Sequence, residues 1–279
     1  MIIFTFLFLA LSAGAQHKVV YGEDNRQELI DVTNPEYLKY SEAIAAKLPN
    51  LYFRRVGKEV VLRYFPLSDK GICSEERFLT QNTVAMCTGF LIAPDLLATA
   101  GHCVKTLSDC KGASWAFGYK MRSSTETRFN LPAENVFSCK RIVAQSYGYP
   151  GSDYAVIQLN KKVPKRTPLR LRQEGTIEVN TPLVVLGHPS GLPLKVADGA
   201  QVRRLEAQWF LANLDTFAGN SGSPVISTLT GEVEGILVRG EDDYVEDSAR
   251  GCKKVKTCAD DGCLGEEVTY IRDILHLLP

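Results

Sequence analysis

Three residue types that cooperate in acyl transfer stand far apart in this chain, each at the edge of an apolar run. His102 lies in Leu97-Ala98-Thr99-Ala100-Gly101-His102-Cys103, Asp153 in Gly151-Ser152-Asp153-Tyr154-Ala155-Val156, and Ser221 in Ala218-Gly219-Asn220-Ser221-Gly222-Ser223-Pro224. Taken singly, a histidine after a strand is most often structural, an aspartate before one is a turn residue, and a serine among glycines is a weak sign. Together they supply a complete set of parts. A serine hydroxyl is a poor nucleophile at neutral pH, so it needs a base to take its proton and return it to the leaving group. A carboxylate can hold that imidazole in one tautomer and stabilise its cation. Glycines at the serine turn free backbone N–H groups to face an oxyanion.

The elements that must position these residues read as mostly β. Short runs rich in Val, Ile, Leu and Phe alternate with Gly, Pro and Asn: Val60–Phe65, Thr88–Ile92, Ala113–Tyr119, Tyr154–Leu159, Pro182–Leu186, Pro224–Ser227 and Glu232–Val238. That spacing predicts an all-β barrel or sandwich architecture. Tyr37, Leu38, Ala45 and Leu48 fall near helical spacing behind Asn34-Pro35, which predicts one short helix ending near Pro49. Glu266–Leu278 carries Val268, Ile271, Ile274, Leu275 and Leu278 at the spacing of an amphipathic C-terminal helix. Lys161–Arg172, basic and with two prolines, reads as the connection between two halves.

The three segments, in the order His, Asp, Ser, resemble the histidine, aspartate and nucleophile motifs of the trypsin-like serine peptidases. Asn220 and the stretch Val20-Tyr21-Gly22-Glu23-Asp24-Asn25-Arg26 are similar to the bacterial glutamyl-endopeptidase-like branch. The resemblance runs from about Val20 to the C-terminus. It implies two six-stranded antiparallel β-barrels, residues 51–160 and 181–279, joined by a linker at 161–180 and preceded by an N-terminal segment at 16–50. It implies a serine endopeptidase with His102, Asp153 and Ser221 as triad, and the N–H groups of Gly219 and Ser221 as oxyanion hole. These roles are those of the well-described Ser-His-Asp mechanism. Digestive members of the family carry an aspartate before the serine to pair with a new N-terminus. Asn220 cannot make that ion pair, so activation by that route is not expected.

The resemblance also points to a primary specificity pocket. Asp215, six residues before Ser221, matches the floor carboxylate that receives Arg or Lys, and Val238, Arg239 and Gly240 match its wall. Glutamate-specific relatives carry a histidine where Leu237 and Val238 stand here. Arg239 could neutralise Asp215, or favour acidic side chains, and Asp215 could simply cap its own loop. Cleavage after Arg or Lys is the expectation, with glutamate the alternative. Two rivals remain: an inactive protease-like binding protein, and acyl transfer to substrates other than peptides.

The eight cysteines suit an exported protein. The resemblance implies a Cys87–Cys103 bridge fixing the histidine loop; Cys110–Cys139 is a second candidate, and Cys252, Cys258 and Cys263 should supply at least one more. Cys258 and Cys263 have no second pair or nearby histidine to complete a zinc site, so no metal or cofactor is expected. The apolar run ending at Ala13-Gly14-Ala15 reads as a signal peptide of residues 1–15, although no Lys or Arg precedes it. Secretion, to the exterior or the periplasm, follows. Lysine plus arginine equals aspartate plus glutamate at 32 each, which gives no electrostatic case for nucleic acid or a membrane surface. Polypeptide substrates and a monomer are expected. Gly187-His188-Pro189-Ser190-Gly191 reads as a surface loop, and the acidic run Glu241–Asp247 as a solvated one, with attraction of basic substrates or a calcium ion the alternative.

Overall fold

The computed structural model describes residues 19–148 and 151–278; the leader expected at 1–15 lies outside them. Six antiparallel strands close the first barrel, in the order Val136–Ser146, Tyr154–Leu159, Leu96–Thr99, Cys87–Ala93, Ile44–Pro49 and Ala113–Phe117. The second is built from Pro182–Gly187, Pro224–Ser227, Val233–Arg239, Glu266–Tyr270, Trp209–Ala212 and Lys195–Leu205. Pairing of Lys195–Leu205 back onto Pro182–Gly187 closes it. The N-terminal strand Arg26–Glu28 adds to the outside of Lys195–Leu205. Closure removes the exposed edges that an open sheet would leave.

One apolar cluster runs through both barrels. It holds Phe90, Leu97, Phe117 and Val156 from the first and Val184, Ile226 and Ile236 from the second. Because both strand faces are buried in places, several strands read as continuous apolar runs rather than alternating ones. Val233–Arg239 is buried at every position except the last.

Two expectations about helices give way to sheet pairing. The helix capped by Asn34 spans only Pro35–Ser41. Ile44–Pro49 is a barrel strand, buried on both faces apart from Pro49, and it lies upstream of the boundary expected at residue 51. At the C-terminus, Glu266–Tyr270 is a fully buried strand, and only Ile271–Leu277 turns helical, as a 3-10 helix. In both places the apolar residues fit helical spacing equally well. The need to fill a barrel position overrides local preference.

The Gly187–Gly191 loop is also not at the surface. His188 and Ser190 are buried. The His188 ring stacks on Tyr119 with centroids 5.5 Å apart, and Ser190 Oγ lies 2.7 Å from Tyr244 Oη. The run Glu241–Asp247 is partly exposed, and several of its carboxylates are engaged. Asp243 accepts from the Ala218 N–H at 2.9 Å, and Glu241 pairs with Lys256. Four disulfides are present: Cys87–Cys103, Cys110–Cys139, Cys73–Cys252 and Cys258–Cys263.

Candidate active site

The candidate site lies where the barrels meet. Strand Leu96–Thr99 ends in a single 3-10 turn, Gly101–Cys103, which carries His102. Only glycine fits at 101, because a Cβ there would overlap the carbonyl of Ser146 on the hairpin that leads to Asp153. That close approach lets Asp153 grip His102 twice. Its Oδ1 accepts the His102 backbone N–H at 3.0 Å, and its Oδ2 lies 2.8 Å from Nδ1. Asp153 is fully buried, and its own N–H donates to Thr269 Oγ1 at 3.2 Å. Burial pushes the carboxyl upward, but the hydrogen bonds and charge of His102, with help from Arg239, hold it below the usual carboxylate range.

Ser221 comes from the second barrel, in a turn between Trp209–Ala212 and Pro224–Ser227. Gly219, two residues before it, has φ of 100°, a conformation glycine adopts at little cost. The Ser221 carbonyl accepts the Thr88 N–H at 2.9 Å, and the Cys103 sulfur lies 3.6 Å from the same oxygen. The Ser221 peptide is therefore tied across the barrel interface to the backbone of Thr88 and to the sulfur of Cys103, the residue after His102. Ser221 Oγ donates to the Val238 carbonyl at 3.2 Å. The sulfurs of Cys87 and Cys103 approach the His102 ring, but they are bonded to each other, so neither is a thiolate able to ligate a metal.

The residues expected to line a specificity pocket divide. Both oxygens of Asp215 accept backbone N–H groups from the N-terminal segment, Tyr21 at 2.7 Å and Asn25 at 2.8 Å. Burial dominates and pushes this carboxyl up to about 6. Arg239 does not reach Asp215. Its guanidinium contacts Asp153 Oδ2 at 3.0 Å and Glu267 Oε1 at 3.1 Å. Val238 contributes its carbonyl to Ser221, and Gly240 lies against a carboxylate absent from the expectation, that of Glu266. A Cβ at Gly240 would overlap that carboxylate, which accepts from Thr216 Oγ1 at 2.7 Å. The signal for Glu266 and Glu267 was present in Gly265-Glu266-Glu267-Val268-Thr269-Tyr270. The amphipathic helix expected over Glu266–Leu278 gives these two carboxylates no interior role, whereas in the strand Glu266–Tyr270 both side chains are buried.

Residues 87–236, just over half of the chain, match the family model of the trypsin-like peptidase domain. The chain belongs to the trypsin-like peptidase family. The matched span contains His102, Asp153 and Ser221. Among curated proteins, the family member is similar to a glutamyl endopeptidase of Bacillus licheniformis, 26% identical over 149 residues, which are 52% of this chain and 46% of that protein. The match thus spans about half of that relative's length. A solved structure of a Glu endopeptidase in complex with MPD superposes with a TM-score of 0.52 at 19% identity, covering 93% of this chain and 97% of that one. At that identity the likeness concerns the fold.

Proposed function

We propose that this trypsin-like peptidase is a secreted serine endopeptidase in which Ser221 is the nucleophile, His102 the general base and Asp153 its orienting carboxylate. The observation that carries this reading is the double grip of buried Asp153 on His102, at the ring Nδ1 and at the backbone N–H. With Nδ1–H donating to Asp153, Nε2 carries the lone pair and serves as the base. Nε2 takes the Ser221 proton as Oγ attacks the peptide carbonyl. The N–H groups of Gly219 and Ser221 receive the oxyanion, and the imidazolium returns its proton to the departing amine. Water, deprotonated by the same nitrogen, then hydrolyses the acyl-enzyme and restores Ser221. Four disulfides suit an exported protein, and the proposed enzyme acts on polypeptides as a monomer. The Ser221→Ala variant is expected to fold normally and to lose casein cleavage by about a millionfold. Near-normal cleavage by that variant would sink the assignment.

Cleavage after Arg or Lys is the proposed preference. Two carboxylates flank the nucleophile turn, Asp215 six residues before Ser221 and Glu266 bonded to Thr216 beside Gly240. Leu237 and Val238 offer no imidazole to a glutamate. The second reading, cleavage after glutamate, is supported by the name of the Bacillus relative. Matched peptides ending in Arg, Glu and Phe decide between them, with wild type, Asp215→Ser and Glu266→Gln. Preference for Arg, lost in one of the two variants, is the expected outcome and identifies the carboxylate responsible. Preference for Glu or Phe in the wild type removes the basic reading.

A further inference from the structure

The Asp153 oxygen that faces His102 Nδ1 at 2.8 Å also faces the Arg239 guanidinium at 3.0 Å. One carboxylate oxygen thus serves two cations once His102 is protonated. Arg239 projects from the last position of Val233–Arg239, and its other nitrogen meets Glu267 on the neighbouring strand. The chain order is therefore imidazole, carboxylate, guanidinium, carboxylate, and both carboxylates are buried.

We propose that Arg239 is a positioning residue of the hydrolysis, holding the Asp153 carboxylate against His102 and setting the pH at which His102 becomes a base, with Glu267 as its counterweight. This rests on the serine-peptidase reading above. A fixed cation a few ångströms from the imidazole disfavours the imidazolium and takes up part of the Asp153 charge that would stabilise it. The base is then unprotonated, and active, at more acidic pH than it would be beside Asp153 alone. Glu267 acts in the opposite sense. Burial pushes its carboxyl up to about 6, so on acidification it loses its charge and leaves the Arg239 cation less compensated.

The other charged and titratable groups around His102 are arranged differently. Lys105 sits over the ring of Tyr147, 4.4 Å from its centroid, and that ring is 6.3 Å from the imidazole. Lys47 donates to the Cys103 carbonyl, and Asp273 accepts from Ser152, next to Asp153, with Tyr154 nearby. Among these groups, Arg239 alone is an ion-pair partner of Asp153 besides His102 itself.

The test is the acid limb of the kcat/KM profile, which reports the free enzyme's base. Arg239→Met is expected to move it upward by about one pH unit, while Arg239→Lys, which keeps the charge, holds it within roughly half a unit. Glu267→Gln is expected to move it the other way, downward by roughly half a unit. The imidazole titration of His102, followed by NMR in a Ser221→Ala background, should shift in the same directions. A limb and an imidazole titration that stay in place in Arg239→Met, with the rate lowered equally at every pH, would overturn the proposal. So would shifts of the same sign in Arg239→Met and Glu267→Gln. If Arg239→Met does not fold, the isosteric Glu267→Gln decides by its direction. Failure of the wild type to cleave peptides would count against the serine-peptidase reading, and the NMR titration would still settle the role of Arg239.

Discussion

At the scale of single residues, the buried carboxylates differ in what holds them. Asp153 is kept ionised by His102 and Arg239. Asp215 instead meets two neutral N–H donors, which do not outweigh its burial. Its carboxyl stands at about 6 in the fold against an ordinary value of 3.8, so between those values the folded chain binds a proton that the unfolded chain releases. Its contribution to stability is therefore full below 3.8 and is lost as pH rises through about 6. Asn at this position has nothing to titrate. The difference in melting temperature between wild type and Asp215→Asn should accordingly fall as pH is raised across that window. A difference that stays flat, or rises, would show that the N–H groups of Tyr21 and Asn25 outweigh burial.

At the scale of elements, His102 is held in a three-residue turn that cannot be rigid by itself, since a 3-10 turn of that length contains little hydrogen bonding. Its rigidity comes from outside. Asp153 binds its backbone, Gly101 admits the hairpin strand, and Cys103 is bonded to Cys87 at the start of the neighbouring strand. The bridge closes a loop of 16 residues, for which chain entropy gives about 3 kcal/mol of stabilisation. The double variant Cys87→Ala, Cys103→Ala should lose stability of that order in denaturant titration. It should also lose kcat more than KM, because Thr88 and Cys103 both contact the Ser221 carbonyl. Loss of stability with kcat intact would limit the bridge to a structural clamp.

At the scale of the whole molecule, the candidate site exists only as a product of two closed barrels. His102 and Asp153 come from the first, Ser221 and Arg239 from the second, and the segment at residues 19–28 is bound along the second. Cys73–Cys252 adds a covalent tie between segments 179 residues apart. Apolar side chains from both barrels share one core, so the angle between the barrels, and with it the contact of Thr88 and Cys103 with the Ser221 carbonyl, is fixed by packing.

The three motif segments were legible in the chain itself, because each combines a chemically capable residue with neighbours that only a tight turn or a close approach requires. The mostly β pattern, the helix start at Asn34-Pro35 and the even cysteine count were legible for similarly local reasons. What the linear order could not hold is which charge meets which. Arg239 faces Asp153 rather than Asp215, and Glu266 and Glu267 are interior rather than on an exposed helix. Buried strands and amphipathic helices share apolar spacing over five or six residues, so Ile44–Pro49 and Glu266–Tyr270 took their conformation from the barrel positions they fill. Charge partnership is a matter of a few ångströms between strands remote in sequence, and that distance is set only when the barrels close.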